Sequence, residues 1–151
     1  MTKQMYLVRG SEDESYKAFN QRVFWELDIL AKDNNIGAIS YVITEEKPPT
    51  VSIIPFKKKK IASITIKKSN SELIDSIKKL NGFEGAFTVT EALPVEYKKN
   101  WPEGEKTPGV CLLTLFKQKK DIDYKIFLDR WHSSHTPLSL KIHPLWHYNR
   151  N

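Results

Sequence analysis

The sequence contains one cysteine and no long apolar run. Cys111 is the only cysteine among the 151 residues, so the chain cannot form an internal disulfide. The longest apolar stretch, residues 110–116, is interrupted by Thr114 and is much shorter than the roughly 20 residues that a transmembrane helix requires. Residues 1–5 lead into no apolar core or cleavage site of a secretory signal. We therefore expect a cytoplasmic protein with no membrane partner, in which Cys111 is a buried and inert thiol.

The composition is that of a folded globular protein. Apolar residues make up 40% and charged residues 28%, and the net charge is +6. Part of the positive charge is concentrated in the lysine run at residues 57–60. This run precedes a β-branched strand and lacks the interleaved aromatic side chains that stack on bases in nucleic-acid binders. We expect the lysines to solvate a strand edge, and we expect no nucleic-acid partner.

The pattern of residues 1–97 predicts a β-α-β-β-α-β order. Strands are predicted at residues 5–9, 36–44, 61–66 and 85–95, where apolar residues cluster or alternate with polar ones. Two helices are predicted between them. This order is that of a ferredoxin-like α+β unit, in which both helices cover one face of an antiparallel sheet.

Capping residues and apolar stripes define the two predicted helices. Ser11 is the predicted N-cap of the first helix, and the capping-box spacing of residues 69–72 starts the second. Asn81-Gly82 is predicted to end the second helix, because both residues tolerate positive φ. The core-facing stripes are Tyr16, Phe19, Val23, Leu27 and Leu30 in the first helix, and Leu73, Ile74, Ile77 and Leu80 in the second.

After a linker at residues 98–108, the pattern begins again. A strand is predicted at residues 109–116, and a helix is predicted to open at the N-cap candidate Asp121. The tetrapeptide Tyr-Lys-Ile-Phe at 124–127 matches Tyr-Lys-Ala-Phe at 16–19 in order. We interpret residues 109–151 as a partial second repeat, which would stop within its second strand.

The most informative spacing belongs to Phe127, Trp131 and His135. At i, i+4 and i+8 these side chains would lie along one face of a helix, which Pro137 is predicted to end soon afterwards. An imidazole beside an indole suits general acid–base work, because its unperturbed pKa of ~6.5 lies near neutrality. The alternative is structural: Phe127 and Trp131 would be core residues, and His135 would bond a carbonyl at the helix end.

The four histidines raise a metal alternative. His143 and His147 have the i, i+4 spacing of a helical cation site, and His132 and His135 lie nearby. However, Pro144 follows His143 directly, and no cysteine or carboxylate motif accompanies the histidines. We therefore expect no metal and no cofactor.

The spacing Phe127-x3-Trp131-x3-His135-x-Pro137 after an apolar strand, followed by Tyr148-Asn149, resembles the EthD-like family of the dimeric α+β barrel superfamily. Specific matching covers roughly residues 85–151. The resemblance implies ferredoxin-like halves whose sheets close around a small cavity.

The resemblance also implies residue roles. His135 would be the catalytic proton-transfer or hydrogen-bonding group. The substrate-binding residues would be Phe127, Trp131, Tyr148, Asn149 and Glu91, although Glu91 also fits a surface carboxylate. The ligand would be a small aromatic or carbonyl-bearing molecule, and related barrels isomerise, decarboxylate or oxygenate such molecules without a cofactor.

The first repeat departs from the motif, since Val23 and Leu27 stand where the second has Trp131 and His135. A site would therefore be one-sided. A non-catalytic accessory or oligomerisation module of the same fold is the competing prediction. If the chain is complete as given, a homodimer would have to complete the second sheet.

Overall fold

The computed structural model describes residues 2–33, 39–49, 60–67 and 71–151. The chain forms two compact units, of which the first ends at Thr90 and the second begins at Glu91. The predicted linker at residues 98–108 therefore lies inside the second unit. Among the described residues, no helix combines the length and the apolar character needed to cross a membrane.

The first unit is an antiparallel sheet with two helices. The strands are β1 (Thr2–Arg9), β2 (Ile39–Ile43), β3 (Ile61–Ile66) and β4 (Phe83–Thr90), and the helices are α1 (Tyr16–Asp33) and α2 (Ser71–Lys78). The strands are ordered β2-β3-β1-β4, and each neighbouring pair is antiparallel. This arrangement confirms the predicted α+β class and the ferredoxin-like β-α-β-β-α-β unit.

Alternating strand residues and the predicted helical stripes build one core. Its buried side chains are Tyr6, Val8, Phe19, Val23, Leu27, Leu30, Ala62, Ile64, Ile66, Leu73 and Ile77. Burial of each large apolar side chain contributes roughly 1.5–3 kcal/mol, which makes this cluster the main source of stability. Tyr16, which begins the predicted stripe, is only half-buried, and its ring lies under the Lys60 ammonium at 5.6 Å.

Helix α1 begins later than its sequence indicates. The predicted N-cap at Ser11 is wrong, because Ser15 caps the helix by accepting the Ala18 N–H at 3.1 Å. Lys60 donates to the carbonyl oxygens of Glu12 at 3.0 Å and Glu14 at 2.5 Å. These bonds fix the preceding residues as a loop and keep them out of the helix. The rest of the lysine run lies outside the described residues.

An arginine ties this loop to the end of α2. Arg22 binds both carboxylate oxygens of Glu14, through Nε at 2.8 Å and Nη2 at 3.0 Å, and its Nη1 donates to the Asn81 carbonyl at 2.8 Å. The hydrogen bond from Arg22 lowers the pKa of the Glu14 carboxyl. Glu26 also contacts Arg22, yet burial raises its pKa above the ordinary value.

The turn after α2 requires glycine. Gly82 has φ +80°, as the predicted helix end at Asn81-Gly82 demands, and its carbonyl accepts the Arg9 N–H at 2.7 Å. A Cβ at this position would overlap the Arg9 carbonyl oxygen. The backbone of β1 therefore passes directly against this turn.

The second unit contains short elements. These are β5 (Ala92–Val95), α3 (Tyr124–Asp129), a π-helical segment, α4 (Thr136–Ile142) and β6 (Tyr148–Arg150). We call the π-helical segment, Arg130–His135, the π-turn. Strands β5 and β6 pair antiparallel. The strand predicted at residues 85–95 is thus divided, because β4 pairs with β1 while β5 pairs with β6.

Residues 109–116 do not form the predicted strand. They carry no strand assignment, and Val110 and Leu112 are 97% and 75% exposed. An apolar run forms a strand only where a neighbouring strand supplies hydrogen bonds. In the second unit, β5 pairs with β6 and not with residues 109–116. Cys111 is consequently exposed, so the predicted buried thiol is wrong, although partial desolvation still raises its pKa.

Helix α3 begins at a different aspartate from the predicted one. Asp123, and not Asp121, is the N-cap, and its carboxylate accepts the N–H groups of Lys125 and Ile126 at 2.8 and 3.3 Å. The helix itself was predicted correctly.

We predict that Gly82→Ala destabilises the first unit by at least about 2 kcal/mol, since a left-handed non-glycine residue is strained and the new Cβ meets backbone. This corresponds to a melting temperature lower by roughly 8 °C or more, measurable by calorimetry. Gly104→Ala is the matched control, because Gly104 has φ +84° and no heavy atom of the described residues lies within 4 Å of the added Cβ. Equal losses in the two variants would contradict the close approach of β1.

Candidate functional site

The π-turn shapes the segment that carries the motif. Its widened spacing appears where the Thr136 N–H donates to the Trp131 carbonyl, five residues earlier. The Thr136 hydroxyl donates to the same carbonyl at 2.9 Å. π-Helical turns are rare and occur frequently at functional sites. The π-turn therefore contains Trp131 and His135, two residues of the spacing that the sequence analysis identified.

Pro137 does not end the helix. It lies in the first turn of α4, directly after the π-turn, and its fixed φ is compatible with helical backbone. The chain continues in α4 as far as Ile142, so the prediction of an early end is wrong. The sequence alone could not show that the π-turn would restart the helix just before the proline.

Aromatic side chains cluster around the π-turn. The rings of Phe127 and Trp131 lie 5.9 Å apart, as their spacing predicts. Phe116 packs edge-on against both, with centroid distances of 6.0 Å to Phe127 and 5.1 Å to Trp131. We call Phe116, Phe127 and Trp131 the aromatic cluster. Phe116 was not a predicted site residue, because its contact depends on how the chain returns to α3.

The two neighbouring histidines have different surroundings. The Trp131 ring contacts the imidazole of His132, with centroids 5.8 Å apart. His135 is exposed, and its Nε2 lies 3.4 Å from the Ser139 hydroxyl. The catalytic candidate is therefore held by a hydroxyl of α4, and its neighbour His132 is the histidine beside the indole.

A second set of polar side chains joins α4 to β6. Arg150 donates from Nη1 to the Thr136 hydroxyl at 3.1 Å. Thr136 and Ser139 are only 6% and 9% exposed. We call His135, Thr136, Ser139 and Arg150 the polar cluster. Three of its members were missed, since no spacing in the sequence shows that β6 returns to α4.

Glu91 and Asn149 form a separate pair. The Asn149 Nδ2 donates to a Glu91 carboxylate oxygen at 2.6 Å. Successive side chains of a strand alternate between its faces, so Asn149 and Arg150 point to opposite sides of β6. Tyr148, which is half-buried and paired with Val95, lies on the side of Arg150. Tyr148 and Asn149, two of the predicted substrate-binding residues, therefore lie on opposite faces of β6.

Several buried polar atoms near the C-terminal strand have no hydrogen-bond partner among the described residues. They are His147 Nδ1, Asn149 Oδ1 and Arg150 Nε. Most buried polar groups in native proteins are paired, and an unpaired one costs about 1–3 kcal/mol. These atoms therefore mark positions where a further hydrogen-bonding group would stabilise the unit.

The metal alternative depends on how the histidines are arranged. Among the described residues, no group of three or more His, Cys, Asp and Glu side chains is arranged to hold a metal ion. His143 lies at the end of α4 with extended backbone angles, φ −110° and ψ 135°. His143 and His147 are therefore not on one helix.

A surface groove occurs elsewhere, on α1 of the first unit. It encloses about 470 Å³ and is lined by Gln21, Arg22, Trp25, Glu26 and Ile29. Trp25 is 72% exposed beside it. None of the predicted site residues lines this groove, so it is an alternative location for a ligand.

Comparison of the chain with family models, with curated proteins and with solved structures found no match. The resemblance to the EthD-like family therefore stays a prediction.

We predict that Thr136→Val destabilises the second unit by about 1–3 kcal/mol, because it keeps the shape but removes the hydroxyl that serves both Trp131 and Arg150. Hydrogen exchange of the α3–α4 amides measures the effect locally. Ser134→Ala, an exposed change in the same segment, is the control. Unchanged exchange in Thr136→Val would show that these hydrogen bonds do not support the unit.

Proposed function

We propose that the second unit binds a small aromatic or carbonyl-bearing molecule, with His135 as its proton-transfer or hydrogen-bonding group. The observation that supports this most is the position of His135, whose exposed imidazole is held by Ser139 at the end of the π-turn. The aromatic cluster begins one turn away at Trp131. This is the function that the resemblance to the EthD-like family implies.

The contact with Ser139 can set the tautomer of the neutral imidazole. When the Ser139 hydroxyl donates to Nε2, the proton of the neutral ring lies on Nδ1 and can be donated to a carbonyl oxygen. When Ser139 instead accepts, Nδ1 is left as the acceptor and can take a proton. The hydroxyl therefore supports either direction of proton transfer, while the aromatic cluster offers apolar contact worth about 0.5–1.5 kcal/mol per ring pair.

The competing function is a non-catalytic accessory or oligomerisation module. It is favoured by the exposure of Val110 and Leu112, since apolar patches on a protein surface often mark interaction sites. This alternative predicts self-association without a specific small ligand.

We predict that His135→Gln weakens binding of aromatic carboxylates, amides, lactones or quinones by at least about tenfold, because it removes the imidazole that would bond the ligand. His132→Gln is the matched control, since it removes a neighbouring exposed imidazole. Thermal shift identifies the ligand, and calorimetric titration gives the affinity.

Equal affinities for the two variants would contradict the role of His135. If no compound raises the melting temperature and the mass in light scattering rises with concentration, the oligomerisation module is supported instead.

A further inference from the structure

The guanidinium of Arg150 is only partly bonded within the protein. Nη1 donates to Thr136, whereas Nε is buried and has no hydrogen-bond partner in the part of the chain that the structure describes. An arginine carries five N–H donors in a rigid plane, and Nε together with Nη2 forms the edge that matches a carboxylate. On this edge, the Nε donor of Arg150 is not paired with an acceptor among the described residues.

The same protein shows how that edge is satisfied elsewhere. Arg22 uses Nε and Nη2 to bind the two oxygens of Glu14, at 2.8 and 3.0 Å. Its Nη1 bonds a backbone carbonyl, that of Asn81, just as Nη1 of Arg150 bonds a hydroxyl. The two arginines therefore agree in that Nη1 donates to an oxygen of the protein. They differ at Nε, which binds a carboxylate in Arg22 and has no partner among the described residues in Arg150.

The neighbours of Arg150 are suited to an anion. The Thr136 hydroxyl accepts from Arg150 and donates to the Trp131 carbonyl, so it fixes the guanidinium without neutralising it. Ser139 lies one turn after Thr136 in α4 and contacts His135, and its hydroxyl and the imidazole can both donate. A guanidinium that is partly removed from water binds an anion more strongly than one in free solution.

Trp131 connects this polar cluster to an apolar wall. Its carbonyl receives the Thr136 hydrogen bond, while its ring packs against Phe116 and Phe127. Trp131 therefore contacts the polar cluster through its carbonyl and belongs to the aromatic cluster through its ring.

We infer that the ligand of the second unit is an aromatic carboxylate whose two oxygens are bound by Nε and Nη2 of Arg150. Its ring lies against the aromatic cluster, and His135 acts on the part of the molecule beyond the carboxylate. This inference rests on the proposed function, because it names the ligand class of the same site.

The test is calorimetric titration of the full chain with 1-naphthoate and with its neutral analogue 1-naphthamide. The unmodified protein is expected to prefer 1-naphthoate by at least about tenfold, equivalent to about 1.4 kcal/mol. Arg150→Gln should remove this preference, because it removes the positive charge that distinguishes the carboxylate from the amide. Arg130→Gln, which removes an exposed arginine of the π-turn, should keep the preference.

A second measurement covers the case in which Arg150→Gln does not fold. In the unmodified protein, the nitrogen-15 resonance of Arg150 Nε should shift when 1-naphthoate is added and stay in place with 1-naphthamide. No shift with 1-naphthoate would overturn the inference.

The outcomes separate the inference from the proposed function. If both compounds bind equally and both depend on His135, the carboxylate is wrong and the proposed function stands. If neither binds but a lactone or a quinone does, the inference is overturned and the proposed function stands; if no compound of the screen binds, both are overturned.

Discussion

The buried hydroxyl of Thr136 is the interaction on which the second unit depends. It donates to the Trp131 carbonyl and accepts from Arg150, so one oxygen joins the π-turn to β6. Because the hydroxyl is shielded from water, neither partner can readily replace it with solvent. The positions of the aromatic cluster and of His135 both follow from the backbone geometry that this hydroxyl supports.

The first unit is stabilised differently. Its sheet and helices bury one continuous apolar cluster. Its Arg22–Glu14 ion pair is formed by two residues of the same unit, so this arginine has its carboxylate partner within the chain. In the second unit, Arg150 has the same chemical edge without a carboxylate from the described contacts. The two units therefore differ in how their arginines are paired: Arg22 has a carboxylate partner, and Nε of Arg150 has no partner among the described residues.

Periodicity predicted the first unit well because its features are local. The stripe from Phe19 to Leu30 and the positive φ of Gly82 each follow from neighbouring residues, and both are present. The start of α1 was misjudged because Lys60, far along the chain, holds the loop before it.

The second unit was predicted less well because its contacts are distant in sequence. Residues 109–116 have the composition of a strand, but a strand needs a partner, and β5 pairs with β6. Pro137 was expected to end a helix that the π-turn restarts. The spacing of Phe127 and Trp131 did identify neighbouring rings, whereas Arg150 carries no local signal and is found only once the chain is folded.

The most direct test of this account is to map the binding of 1-naphthoate by NMR chemical-shift changes across the full chain. The account predicts the largest changes at Phe116, in the π-turn and at Arg150. Changes confined to the α1 groove around Trp25 would contradict it, because they would place the ligand in the other unit.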